Sequence, residues 1–244
     1  MHKHIFAYVG SRRKNSQTLK ETQRIIDAVN TLYSKSFTYE IVTPLDMKIA
    51  ASTGCRTCFV NGYCPIEEKG IDDSKILKRK LLDADIIILS SPVYEHNVSS
   101  DMKAVIDRLS YWGHLFRLAG KSGVVLARGD SNGIGLVSSY LEKIATVFGL
   151  NVIDSIESSS FYSPDDKYLS NLSEEIYSYA FNLKRIETDS RAEMAFGKYK
   201  KLYKKRPLTL AEPRYWKENG MFDHDSLQSY IDEIVALQKD IETG

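Results

Sequence analysis

The chain predicts an α/β protein built on an open, doubly wound parallel sheet. Four short apolar runs read as strands buried on both faces: Ile5–Val9, Asp85–Ser90, Ser122–Ala127 and Leu150–Ile156. Segments with helix-period apolar stripes separate them, and turns rich in Gly, Ser and Asn follow the strands. Strands alternating with helices in this way call for a sheet covered on both faces, with ligands bound beyond the carboxyl ends of the strands.

Each element has its own signal. The first strand breaks at Gly10, and a helix runs to about Tyr33 with Leu19, Ile25, Ile26 and Val29 on its core side. Phe37–Val42 alternates more and suits an edge strand. Ile76, Leu77, Leu81 and Leu82 mark a second helix, and Met102, Val105, Ile106 and Leu109 a third. Val137, Leu141, Ile144 and Val147 mark a fourth, and Leu172, Ile176, Tyr179, Ala180 and Leu183 a fifth. After Thr188 the alternation stops. Residues 191–206 carry seven basic side chains against one acidic, and Ala195, Phe196, Tyr199, Leu202 and Tyr203 form a stripe that Pro207 ends. Leu227, Ile231, Ile234 and Leu237 mark a last helix. The expected division is 1–188 as the sheet domain and 189–244 as a helical C-terminal extension, packed on the sheet domain or on a partner subunit.

Composition narrows the function classes. Basic and acidic residues number 33 and 32, so no global field draws nucleic acid or an anionic membrane. No window is apolar enough for a membrane span or a signal peptide, and three cysteines cannot all pair within the chain. A cytoplasmic protein that binds neither nucleic acid nor membrane is expected.

Three loops carry the chemistry. Gly10 to Thr18 joins a strand to a helix, with Ser11, Asn15, Ser16 and Thr18 as short donors and Arg12, Arg13 and Lys14 as cations. Such a turn suits a phosphate, and equally a plain capped connection with a solvated basic face. Ser91–Ser100 holds Pro92, Tyr94 and a capping serine. Arg128–Gly135 holds three glycines that permit close backbone approach to a ligand.

Gly10-Ser11-x-Arg13-x-x-Ser16-x-Thr18, Ser91-Pro92-Val93-Tyr94 leading to Asn97-Val98-Ser99, and the helix Met102–Arg108 together resemble the flavodoxin-fold NAD(P)H-dependent FMN reductase family, relatives of iron-sulfur flavoproteins. The resemblance covers roughly residues 3–160, with a further likeness at Tyr215–Gly220. It implies a five-stranded flavodoxin-like sheet of order 2-1-3-4-5, with FMN as cofactor and NADPH or NADH as electron donor. It implies that Ser11, Arg13, Ser16, Gln17 and Thr18 hold the FMN phosphate. Pro92, Val93, Tyr94 and Asn97 would line the isoalloxazine ring, and Arg128, Gly129, Asp130 and Gly133 would approach its pyrimidine edge. It also implies a homodimer or homotetramer. His96, beside the expected flavin face, is the candidate proton donor to a reduced substrate.

The expected function is FMN-dependent transfer of hydride or electrons from a nicotinamide to a small acceptor: a quinone, a flavin, or an unsaturated bond in a metabolite or peptide. The alternative is a flavin-binding electron carrier without substantial turnover. No metal is expected. Cys55-x2-Cys58-x5-Cys64 has the spacing of a metal, cluster or redox site, but Asn61 stands where the iron-sulfur relatives carry another cysteine, and His96 is remote. A structural loop is the expectation there. Asp107 and Arg108 are expected to pair at a helix end.

Overall fold

The computed structural model describes residues 2–130 and 132–243; Ser131 of the third loop lies outside them. The elements run β1 (Lys3–Val9), α1 (Gln17–Leu32), β2 (Phe37–Val42), α2 (Thr57–Asn61), α3 (Pro65–Glu68) and α4 (Ser74–Asp83). Next come β3 (Ile86–Tyr94), β4 (Asn97–Val98), α5 (Ser100–Arg108), α6 (Trp112–Leu115), β5 (Ser122–Arg128), α7 (Ile134–Val147), β6 (Asn151–Ser158) and α8 (Asp166–Ala180). The tail holds α9 (Ser190–Tyr203), α10 (Ala211–Glu218), a 3-10 turn (Met221–Asp223) and α11 (Leu227–Thr243).

The sheet order is β2-β1-β3-β5-β6, with every pair parallel except the short β4, which folds back antiparallel on β3. The five long strands thus follow the expected course, and β4 is an addition to it. Central strands are apolar throughout because helices cover both faces. Phe6, Tyr8, Ile87, Leu89, Val125 and Ala127 pack against α4, α5 and α7 on one side. Ile5, Ala7, Ile86, Ile88, Val124 and Leu126 pack against α1 and α8 on the other. Gly123 is required for this pairing, since a Cβ there would sit 2.2 Å from the Ile87 carbonyl oxygen.

Some expectations fail in detail. β6 is an edge strand and only half-buried along most of its length, so its apolar run did not mean burial on two faces. Ile76 is exposed on α4, and Leu183 is exposed beyond the end of α8 at Ala180. In the tail, Leu202 and Leu237 face solvent. The apolar side of the tail is instead an aromatic cluster in which Phe196, Tyr203, Trp216 and Met221 pack on Leu115 and Phe116 of the sheet region.

Candidate functional site

At the end of β1, the Gly10 N–H donates to the Ser90 carbonyl (2.8 Å) and the Ser11 N–H to Val9 (2.7 Å), turning the chain sharply toward α1. A Cβ on Gly10 would lie 2.7 Å from Ser99 Oγ and 2.9 Å from Met102 Cβ, so only glycine lets this turn lie against the start of α5. Ser16 caps α1, its Oγ accepting from the Leu19 N–H (3.1 Å), and Ser11 Oγ accepts from the Arg13 N–H (3.4 Å). Both hydroxyl hydrogens therefore stay available to donate outward. Gln17 and Thr18 stand in the first helical turn, whose N–H groups have no acceptor within the helix, and that turn holds no acidic side chain. Arg12 is committed elsewhere, forked onto Asp101 by two hydrogen bonds of 2.9 Å. Arg13 is exposed and forms no ion pair among the described residues, so its charge is free for a ligand.

The second loop is a β-hairpin. Val93 pairs with Val98 and Tyr94 with Asn97, which leaves Glu95 and His96 as a two-residue turn with φ of 47° and 60°. This mirror-image turn matches the twist of the flanking strands but favours Asn and Gly, and each other residue held there costs about 1–3 kcal/mol. The strain sits beside the third loop: a Cβ on Gly133 (φ +86°) would be 2.9 Å from His96 Nδ1. Tyr94 is 53% exposed, an aromatic face left in water. Asn97 Oδ1 accepts from the Val98 N–H (2.8 Å).

In the third loop, Pro92 on β3 is in register with Arg128 on β5, which in turn is in register with Ser158 on β6. The Gly129 N–H donates to the Ser158 carbonyl (3.1 Å), and a Cβ on Gly129 would meet Val93 at 3.1 Å. The buried Arg128 donates through Nη1 to Asp130 Oδ1 (2.7 Å); that hydrogen bond, with a second from Ser160, holds the Asp130 carboxyl below its ordinary range. Arg128 Nε and Ser158 Oγ are buried without partners among the described residues. Buried polar atoms are ordinarily paired, so two such donors at adjoining strand ends point to an absent ligand.

The three loops thus meet along one edge of the sheet, and every residue expected to contact FMN lies on it. Sequence reasoning missed Ser158 and the loop that follows it. That loop bridges the site: Ser160 N–H donates to Asp130 (3.3 Å), while Arg24 of α1 donates to Ser163 Oγ (2.6 Å) and to the Pro164 carbonyl (2.9 Å). It presents Phe161 91% exposed. The run Ser158-Ser159-Ser160 at a strand end was the available signal.

The cysteine segment folds around Arg108. Arg108 does not pair with Asp107, which binds Lys103 instead. Its side chain is 3% exposed and donates to Asp72, Ser74 Oγ (2.7 Å), the Ala50 carbonyl (3.1 Å), Cys64 Sγ (3.3 Å) and Glu67 (3.4 Å). Lys78 closes the network on Glu67. The three cysteines fall one thiolate short of a four-thiolate cluster, and among the described residues no group of three or more His, Cys, Asp or Glu side chains is placed to hold a metal. The residues present do not fit the cluster of the iron-sulfur relatives.

No helix among the described residues is long and apolar enough to cross a membrane. An iron-sulfur flavoprotein of Archaeoglobus fulgidus is 36% identical over 149 residues, covering 58% of this chain and 62% of its own length. An FMN-dependent NADH:quinone oxidoreductase of Herminiimonas arsenicoxydans is 30% identical, covering 39% of this chain and 58% of its own length. The chain thus spans less than two thirds of either relative. A solved NADH:FMN oxidoreductase shares the fold, with a TM-score of 0.53 at 20% identity over 78% of this chain and 93% of that one. Residues 4–162 match the family model for NADPH-dependent FMN reductases, and with the flavodoxin-like sheet and its three edge loops on the same stretch, the chain belongs to that family.

Proposed function

We propose that the chain is an oxidoreductase that holds FMN along the carboxyl edge of the sheet and passes electrons from NADPH or NADH to a small acceptor. The observation that carries this reading is the turn from β1 into α1, where the Gln17 and Thr18 N–H groups have no acceptor within the helix, the Ser11 and Ser16 hydroxyls and an Arg13 without an ion pair among the described residues share one short loop, and the first helical turn holds no acidic residue. Ser11, Arg13, Ser16, Gln17 and Thr18 hold the phosphate dianion. Pro92, Val93, Tyr94 and Asn97 line the ring, and Gly129 and Gly133 allow backbone to approach it. Arg128 Nε and Ser158 Oγ, without partners among the described residues, supply donors for oxygens on the ring's pyrimidine edge.

Bound FMN supplies the electron chemistry between nicotinamide and acceptor. The protein contributes orientation and charge. Asp130 balances Arg128, so the donors at that edge act through direction more than net charge. His96, held in its strained turn against Gly133, gives a proton to the reduced acceptor in this reading. The quinone acceptor of the named relative is one candidate class. A dimer or tetramer, with 189–244 as an extension of the unit 1–188, completes the proposal.

The test is a visible spectrum of the purified protein, followed by anaerobic bleaching with NADPH or NADH and reoxidation by a benzoquinone. Yellow protein that bleaches and then turns over steadily supports the reading. Colourless protein that ignores added FMN in calorimetry rejects it, and bleaching without turnover makes the chain an electron carrier.

A further inference from the structure

Cys55, Cys58 and Cys64 line one cavity of about 120 Å³ together with the buried Arg108. The cavity is built, since Arg108 is fixed by its hydrogen bonds to Asp72, Ser74 and Ala50, and its Nε has no partner among the described residues. The three sulfurs differ in access and partners. Cys55 is exposed, whereas Cys58 and Cys64 are half-buried. Arg56, at φ 60°, turns the backbone in the left-handed region and starts α2, so Cys55 stays outside while Cys58 enters the first helical turn. Cys64 accepts an N–H from Arg108 (3.3 Å) and Cys55 accepts the Thr57 hydroxyl (3.3 Å).

We propose that Cys55 and Cys58 form a reversible dithiol–disulfide centre, with Cys55 attacking low-molecular-weight disulfides and Cys58 resolving the adduct. Cys64 stays a thiol, engaged by Arg108. Reactivity agrees with this division of labour. Hydrogen bonds from Thr57 and Thr53 lower the Cys55 thiol to about 7, which makes it substantially thiolate at neutral pH. Burial pushes the Cys58 thiol up, so it waits as the protonated partner.

Cys55 sulfur displaces one thiolate from the disulfide RS–SR, forming Cys55–S–S–R. Cys58, giving up its proton, then attacks the Cys55 sulfur and expels the second thiolate. The protons of the two cysteines end on the two released RSH molecules; the cysteine pair is oxidised by two electrons and the small disulfide is reduced by two. Reduction by a small dithiol reverses it.

The test uses the full chain as isolated, reduced with dithiothreitol, desalted under argon and treated with glutathione disulfide, then alkylated and mapped by mass spectrometry. The expected product is a peptide bridged between Cys55 and Cys58, with Cys64 alkylated. Cys58→Ser is expected to stop at a stable glutathione adduct on Cys55. Cys55→Ser is expected to slow modification at Cys58 at least about tenfold. A bridge between Cys58 and Cys64, a lasting glutathione adduct on Cys55 in the unmodified chain, or undiminished reaction at Cys58 in Cys55→Ser would overturn the proposal. The readout is the same in yellow and colourless protein, so its failure is separate from failure of the flavin reading.

Discussion

The sheet's carboxyl edge and the network under the cysteine loop use arginine in opposite ways. Arg108 is buried and donates to five acceptors, two of them carboxylates. Among the described residues Arg13 is exposed with no ion pair, and Arg128 stands between the two, neutralised by Asp130 through one nitrogen while another has no partner. A cation tied to five acceptors from distant parts of the chain holds the fold together even with its Nε unpaired; one tied only within its own loop leaves room for a ligand that is not part of the chain. The same contrast separates neighbours in sequence, because Arg12 is spent on Asp101 and Arg13 is not.

This contrast is open to attack by mutation. The largest effect is expected for Arg108→Met, which strands Asp72, whose side chain is 0% exposed, with Glu67 beside it, and should cost about 3–5 kcal/mol in a denaturant melt. That melt also has a pH signature. Burial works to raise the Asp72 carboxyl, but hydrogen bonds from the Ala50 N–H, Ser74 and Arg108 outweigh it, and the net shift is downward. A carboxyl lowered in the folded state stabilises fully above the ordinary carboxylate value near about 4, and that contribution is lost as pH falls through the lowered value. Arg108→Met should flatten this acid-side loss; an unchanged pH profile would break the assignment.

Gly133→Ala forces a side chain into left-handed backbone and onto His96, and should cost about 1–2 kcal/mol while shifting the His96 ring resonances. Arg13→Ala should weaken FMN about tenfold, or ~1.4 kcal/mol, in titration calorimetry without moving the melt of the ligand-free protein. Ser158→Ala, the smallest, should not lower the ligand-free melt, because a buried hydroxyl without a partner gives the fold no stabilisation to lose, yet should still lower FMN affinity. Equal losses of stability and affinity in the last two variants would erase the distinction between the two regions.

Much of the fold was legible because burial on both faces leaves unbroken apolar runs such as Ile86–Leu89. The same signal misled at β6, since Val152–Ile156 does not say whether a neighbour strand exists on its far side. The hairpin at Tyr94–Asn97 was hidden because Glu95-His96 lacks the Asn-Gly chemistry that announces such turns. α10 was missed behind Pro213, which is tolerated because it falls in the first turn. Among site residues, those on local turns could be named from spacing. Arg108's real partners, Asp72 and Glu67, lie more than thirty positions away and only folding brings them together.

The aromatic cluster under the C-terminal helices has a practical bearing on how the protein can be handled. Trp216 and Phe196 are fully buried against Phe116, and Trp216 Nε1 donates to the His114 carbonyl (2.9 Å). Cutting the chain after the last helix of the sheet region would therefore uncover a sticky greasy surface around Leu115 and Phe116 and remove the lid over His114. A shortened version is expected to clump unless those side chains are first made polar.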